Sequence, residues 1–154
     1  MSDEADTSAT FQRVRFFVEE GIPFNRFLGL RCEDLGPGRA TLRMPFREEL
    51  IGDPHRPALH GGTLSALADT AGGAALFSDV DLDARVSTID LRIDYLRPGR
   101  LDDVWAEAKV VRRGNRVGVT RITVWQSSPA GSDEEHCVIA EATGVYSVRL
   151  SSPS

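Results

Sequence analysis

Between Leu64 and Phe77 apolar residues recur at three- and four-residue spacing. Leu64, Leu67, Ala68, Ala71, Ala74 and Ala75 fall on one face of a helix. Gly62, Ser65, Asp69 and Gly73 form a second line, also at helical spacing. That line holds small residues and one acid, so another chain or a ligand can approach it closely. Asp69 is the sole charge in the stretch, which predicts a helix covered nearly all round. A carboxylate in such a setting needs partners or a task. The run His60-Gly61-Gly62-Thr63-Leu64-Ser65-Ala66-Leu67-Ala68-Asp69-Thr70 therefore reads as the start of a long buried helix ending near Ser78. Two glycines stand at its mouth, and the acid lies about two turns in.

The other elements follow from the same patterning. Residues 11–20 predict a short helix with Phe11, Val14, Phe17 and Val18 on one side. Thr10 is its cap, with Ser8 the alternative, and residues 21–23 end it. Residues 22–30 predict a turn of helix packed around Phe24 and Phe27. Residues 30–35 and 40–46 form a hairpin about Gly36-Pro37-Gly38, with Pro45 at an edge. Residues 86–96 alternate: Ile89, Leu91, Ile93 and Tyr95 are predicted to face the central helix, and Thr88, Asp90, Arg92 and Asp94 to face away. Strands are predicted at 104–111, 117–125 and 137–150, with a tight connection at 112–116, a polar loop at 127–135 and a bend or bulge at Gly144. The polar, acidic residues 1–9 predict a disordered tail, and residues 10–150 a single domain. The fold class is α+β, a long central helix wrapped by a curved antiparallel sheet. One such sheet leaves an edge that a second subunit could cover.

A chain of 154 residues with net charge −5 is a poor general nucleic-acid binder. Lys109 is the lone lysine, so arginines carry the basic chemistry, and their planar fork suits phosphate. Cys32 and Cys137 lie far apart and predict reduced residues in a cytoplasmic protein. No apolar run spans a membrane, and the N-terminus is not a signal peptide. His55, His60 and His136 lack metal-ligand spacing. No metal or cofactor is expected, His55 and His136 read as surface residues, and Trp105 and Trp125 as packing residues.

The helix mouth is where chemistry is expected. The first amides of a helix lack internal partners and carry the positive end of its dipole. Gly61 and Gly62 let a ligand reach them, and an ester or thioester carbonyl placed there would have its developing oxyanion stabilised. The competing reading is a turn that needs glycine only for its backbone angles.

Several separated segments then match one family. They are Leu59-His60-Gly61-Gly62, Leu67-Ala68-Asp69-Thr70, Ser87-Thr88-Ile89-Asp90, Tyr95-Leu96-Arg97-Pro98-Gly99 and Val110-Val111-Arg112-Arg113-Gly114. Over residues 24–148 the chain resembles the hotdog-fold acyl-CoA thioesterases, specifically the PaaI-like phenylacetic-acid-degradation group. The resemblance implies a homodimer, often paired into a homotetramer, with active sites at the subunit interface. It implies that the Gly61 or Gly62 amide polarises the thioester carbonyl. Asp69, from the facing subunit, would act as general base or nucleophile. Thr88, or its neighbour Ser87, would position water, and His60 would shape the loop. Relatives often hold the carbonyl with an Asn before the His-Gly-Gly; here Asp53 stands in its place, and an ionised Asp cannot donate to a carbonyl. Arg112, Arg113 and Arg116, flanking Gly114 and Asn115, become candidates for the CoA phosphates, against the alternative of a solvated hairpin tip. The expected activity is hydrolysis of an aryl- or medium-chain acyl-CoA. Two rivals are a hotdog acyl-CoA hydratase or dehydratase using His60 beside the acid, and a non-catalytic acyl-CoA-binding protein.

Overall fold

The computed structural model describes residues 2–81 and 83–150. The apolar stripe becomes helix α3 (Gly61–Phe77), which buries Leu64, Leu67, Ala68, Ala71, Ala74 and Ala75 as the spacing predicts. Six strands face it: β1 (Arg31–Gly36), β2 (Arg39–Met44), β5 (Arg85–Tyr95), β6 (Val104–Arg113), β7 (Val117–Ser127) and β8 (His136–Arg149). They form one antiparallel sheet in the order β1-β2-β6-β7-β8-β5. Leu42, Val104, Ala106, Ala108, Ile122, Val124 and Ala140 point from the sheet into the shared core. Alanines on both surfaces let helix and sheet approach closely, and each large aliphatic side chain buried between them contributes about 1.5–3 kcal/mol. On the opposite face of the sheet Trp105 and Trp125 sit directly across from one another and stack at 4.9 Å. A short hairpin of β3 (Ile51–Asp53) and β4 (Ala58–Leu59), which the sequence pattern does not announce, delivers the chain to His60.

Several expectations change. First, α3 is not covered all round: Gly62 is exposed, and Ser65, Asp69 and Gly73 are partly so. The small-residue line lies partly open because β5 reaches it only through Tyr95 at Ser65 and Thr88 at Asp69, and the N-terminal segment stands across a cavity from Gly73.

Second, the N-terminal helix α1 runs Ser2–Phe16, so residues expected to form a tail are helical and Thr10 does not cap the helix. No glycine or proline precedes Gly21 to stop it. It passes through a π-helical turn (Phe17–Gly21) into α2 (Pro23–Leu28). In α2 the inward residues are Asn25 and Leu28, one turn apart, whereas Phe24 and Phe27 are 57% and 63% exposed. The two rings stack on one another, and the Arg47 guanidinium lies 5.2 Å from the Phe27 centroid. Glu19 anchors this segment by accepting from the Cys32 amide at 2.7 Å. Burial, and then Glu19 itself, push the Cys32 thiol up to about 12, so it is inert.

Third, β5 carries a bulge that reverses its alternation. Thr88 pairs with Tyr146 and Asp90 with Val145, which leaves Ile89 over. Val86 and Thr88 therefore share the helix side with Leu91 and Ile93, and Ile89 is turned outward, 58% exposed. The expectation that Ile89 faces the helix and Thr88 faces away is reversed.

Gly144 is not a bend either; its register with Leu91 and Thr120 is regular. It is small because the buried Tyr146 ring leans over it: a Cβ there would stand 2.5 Å from Tyr146 Cε2. Gly72 clears the other side, where a Cβ would meet the Tyr146 hydroxyl at 2.2 Å and Thr120 Oγ1 at 2.7 Å. Gly72→Ala is thus expected to destabilise the fold by about 1–3 kcal/mol through overpacking. At Gly73 the nearest atom to an added Cβ is Tyr146 Cε1 at 3.7 Å, an ordinary contact. Gly73→Ala should match or exceed wild-type stability, since alanine is the better helix former by roughly 0.5–1 kcal/mol. Denaturant unfolding of the two variants checks the contrast.

Candidate active site

At the mouth of α3 the sequence solves its capping problem with a side chain. His60 is the N-cap, and its Nδ1 accepts from the Gly62 amide at 2.8 Å. The Thr63 amide turns back to the His60 carbonyl at 3.0 Å. Gly61, first in the helix, has no intrahelical acceptor for its N–H by position. Of the two glycine amides, Gly61's is the one left to receive a ligand, at the positive end of the dipole. Tyr95, at the end of β5, stands against this peptide. Its hydroxyl donates to the Gly61 carbonyl at 3.0 Å and lies 2.5 Å from Ser65 Oγ. A Cβ on Gly61 would come within 3.3 Å of the Tyr95 ring, so glycine is what lets the ring close on the helix. Sequence patterning does not single out Tyr95 as a site residue; its place in the matching Tyr95-Leu96-Arg97-Pro98-Gly99 segment is the one signal that could.

Asp69 is two turns further along. Because β5 runs antiparallel to α3, Thr88 arrives beside it once the bulge has set the phase, and Thr88 Oγ1 donates to Asp69 Oδ1 at 2.8 Å. The backbone is held from below, where Tyr146 Oη donates to the Asp69 carbonyl at 2.9 Å. One carboxylate oxygen is thus oriented by a hydroxyl, while the group stays partly exposed. Ser87 borders the same space, and its carbonyl accepts from Ser147 Oγ at 3.4 Å.

Asp69 and Thr88 form the polar end of a cavity of about 750 Å³. Gly73, Ala74 and Phe77 of α3 line one side, Ala84 and Val86 another, and the N-terminal segment roofs it with Phe17, Val18, Ile22 and Phe24. The sequence does not mark these roof residues as belonging to a site; amphipathic spacing labels a face as apolar without saying whether it meets core or cavity.

The remaining candidates do not converge on this place. Asp53 Oδ1 accepts from the His55 and Arg56 amides at 2.9 and 3.1 Å, and its Oδ2 pairs with Arg56. Those amides hold its carboxyl below the ordinary range, so it is an ionised loop-former with no proton to donate. Arg113 turns to the far end of α3, where its guanidinium donates to the Asp79 carbonyl and pairs with Oδ2 at 3.4 Å. A bulge at Val111 pairs Arg112 with Val119 and Arg113 with Gly118, which sends the two neighbouring arginines to opposite faces. Gly114 closes the turn through its amide on the Val117 carbonyl at 2.8 Å, and exposed Arg116 accepts from the Val148 amide through its own carbonyl. His136 packs on Trp125 at 3.9 Å, on the sheet face away from α3.

Known proteins identify the family. A model of the thioesterase superfamily matches residues 57–131. The medium/long-chain acyl-CoA thioesterase YigI of Escherichia coli strain K12 is 34% identical over 140 residues, which cover 82% of this chain and 86% of that one. A candidate esterase of Halobacterium salinarum is 42% identical over 126 residues, covering 79% and 82%. The crystal structure of a thioesterase family protein from Silicibacter pomeroyi, 28% identical, aligns with a TM-score of 0.79 over 92% of this chain and 99% of that one. A long helix held in a six-stranded antiparallel sheet is the hotdog fold. The chain belongs to the thioesterase superfamily and is a thioester hydrolase.

Proposed function

We propose that the protein hydrolyses a medium-chain or aryl acyl-CoA at a site shared between two subunits, in the manner of the PaaI-like group. One observation carries the shared site. Gly61 and Asp69 are eight residues apart on one continuous helix, about 12 Å along its axis. A single carbonyl cannot touch the Gly61 amide and the Asp69 carboxylate of the same chain. A second α3 lying antiparallel across the open line Gly62, Ser65, Asp69 and Gly73 brings each amide to the other chain's acid. The two-fold axis then passes near Ser65. Tyr95 stands at Gly61 and Thr88 at Asp69, so the same axis crosses β5 near Leu91 and Arg92. β5 is a sheet edge eleven residues long, and antiparallel pairing with its symmetry mate would satisfy that edge. Two such dimers would build the homotetramer.

The chemistry follows. The Gly61 amide of one subunit polarises the thioester carbonyl and stabilises the tetrahedral oxyanion. Asp69 of the other supplies the attacking oxygen, or the base that takes a proton from water held with Thr88. The C–S bond breaks as the new C–O bond is kept, the thiolate leaves to take up a proton, and where Asp69 itself has attacked, water then cleaves the acyl–Asp69 anhydride to release the acid. Acyl-CoA is the substrate class, and the apolar cavity behind Asp69 supports the acyl end. Arg112 and Arg116 remain the phosphate candidates; Arg113 is engaged by Asp79. Among the described residues no helix is long and apolar enough to cross a membrane, and unpaired Cys32 and Cys137 support a cytoplasmic setting.

A thiol-release assay over saturated and aryl acyl-CoAs tests the reading. Free CoA from a saturated substrate is the expected result, because a hydratase has no double bond to act on there. Binding of every acyl-CoA without release of CoA would favour the binding-protein alternative and overturn the proposal.

A further inference from the structure

We infer that Gly73 and Phe77 form a ruler that selects unbranched acyl chains of about ten carbons, an inference that rests on the proposed thioester site at Asp69. Asp69, Gly73 and Phe77 follow one another at four-residue spacing, so they lie in line along one face of α3. All three line the cavity. The acid marks the end where the thioester carbon reacts. The middle position is glycine, which leaves the channel open: an added Cβ there would touch only Tyr146, at 3.7 Å. At the far end stands Phe77, whose ring stacks on Phe17 of the N-terminal segment at 5.6 Å and 26°. Across the channel β5 runs alongside, from Thr88 at the polar end to Val86, with Ala84 beyond it at the apolar end.

The length of this channel sets the chain. Asp69 and Phe77 are eight residues apart, about 12 Å along the helix. An extended chain rises about 3.6 Å over three bonds, so about 12 Å takes roughly ten bonds. The ring pair at the end is contributed by two separate elements, α3 and the π-helical turn. The stop is therefore a packed contact rather than the accident of one side chain. The walls offer little to an aryl hydroxyl. Asn25 and Thr70 border the cavity, but one Asn25 N–H and the Thr70 hydroxyl go to protein carbonyls, Val18 at 3.0 Å and Ala66 at 2.8 Å, and Ser87 stands at the polar end beside Thr88. Arg13 and Arg85 are exposed residues at the margin.

The test is a chain-length profile of kcat/KM for the intact protein. The panel is butanoyl-, hexanoyl-, octanoyl-, decanoyl-, dodecanoyl- and hexadecanoyl-CoA, with phenylacetyl-CoA as the aryl probe. Wild type should peak near decanoyl-CoA. Gly73→Leu should move the peak to shorter chains, with a loss of about tenfold or more on decanoyl-CoA and little change on butanoyl-CoA, since each methylene excluded from an apolar pocket is worth roughly 10-fold upward. Phe77→Ala should move it the other way and raise hexadecanoyl-CoA relative to decanoyl-CoA by about tenfold. The two variants act in opposite directions, so a general loss of folded protein cannot imitate the result. An unmoved profile in both variants, or a preference for phenylacetyl-CoA, overturns the ruler and leaves thioester hydrolysis standing. A wild type that releases no CoA from any of the panel overturns the reading beneath it.

Discussion

Asp69→Ala should lower kcat by about 100-fold or more, the scale of losing a positioned general base or nucleophile, while the protein stays folded. The second half of that expectation comes from the contacts. The Tyr146 hydroxyl bonds the Asp69 carbonyl rather than its carboxylate, so the anchor of the helix survives the substitution. Thr88 is exposed and can turn its hydroxyl to water. Alanine is also the strongest helix former. Unfolding midpoints near wild type, together with the collapse in turnover, would separate chemistry from stability. Asp69→Asn sharpens the test: the amide is isosteric and keeps an acceptor for Thr88, but it can neither take a proton nor attack. Turnover by Asp69→Asn close to wild type would remove Asp69 from the reaction.

How far residues can be placed from sequence depends on whether their positions are set locally. α3 is legible because its spacing, its glycines and its acid all sit within one continuous segment, and the structure keeps the register that the pattern implies. The strands follow from antiparallel patterning. The phase of β5 does not, because Ile89, Leu91, Ile93 and Tyr95 alternate more cleanly than the true inward set does. The bulge that ejects Ile89 is imposed by pairing with β8, which supplies Tyr146 and Val145 opposite Thr88 and Asp90. That single irregularity decides whether Thr88 reaches Asp69 at all. Hydrophobicity alone assigns Phe24 and Phe27 to the core, but α2 begins at Pro23 and is too short to bury both its Asn25–Leu28 line and its phenylalanines. The arginines illustrate the same limit. Three cations at a turn look like one cluster in sequence, yet alternation and Asp79 distribute them over two faces.

Two inactive variants should restore one another if the site is shared. Gly61→Pro removes the free amide at the helix mouth. Proline suits the first position of a helix, and the preceding His60 has φ −65° and ψ 130°, the extended geometry that a residue before proline adopts. The variant should therefore fold, with its ring accommodated by a shift of Tyr95, which approaches Gly61 closely. Alone, it loses the oxyanion donor in both sites of a dimer, a loss of about 100-fold or more in kcat. Asp69→Ala alone loses the acid in both. Consider a dimer with one chain of each kind. One of its sites brings the two substituted positions together and is doubly defective, but the other combines a native Asp69 with a native Gly61. Random reassociation of equal amounts makes half of the dimers mixed, so activity should rise to about a quarter of wild type for a two-fold symmetric assembly. The measurement is turnover before and after the two purified variants are dissociated and reassembled together, with light scattering to follow the dimer. A site built within a single chain gives no recovery, because no chain in the mixture holds both groups. Reassembly without recovered turnover, or wild-type activity from a monomer, would place the site within one chain and overturn the shared site.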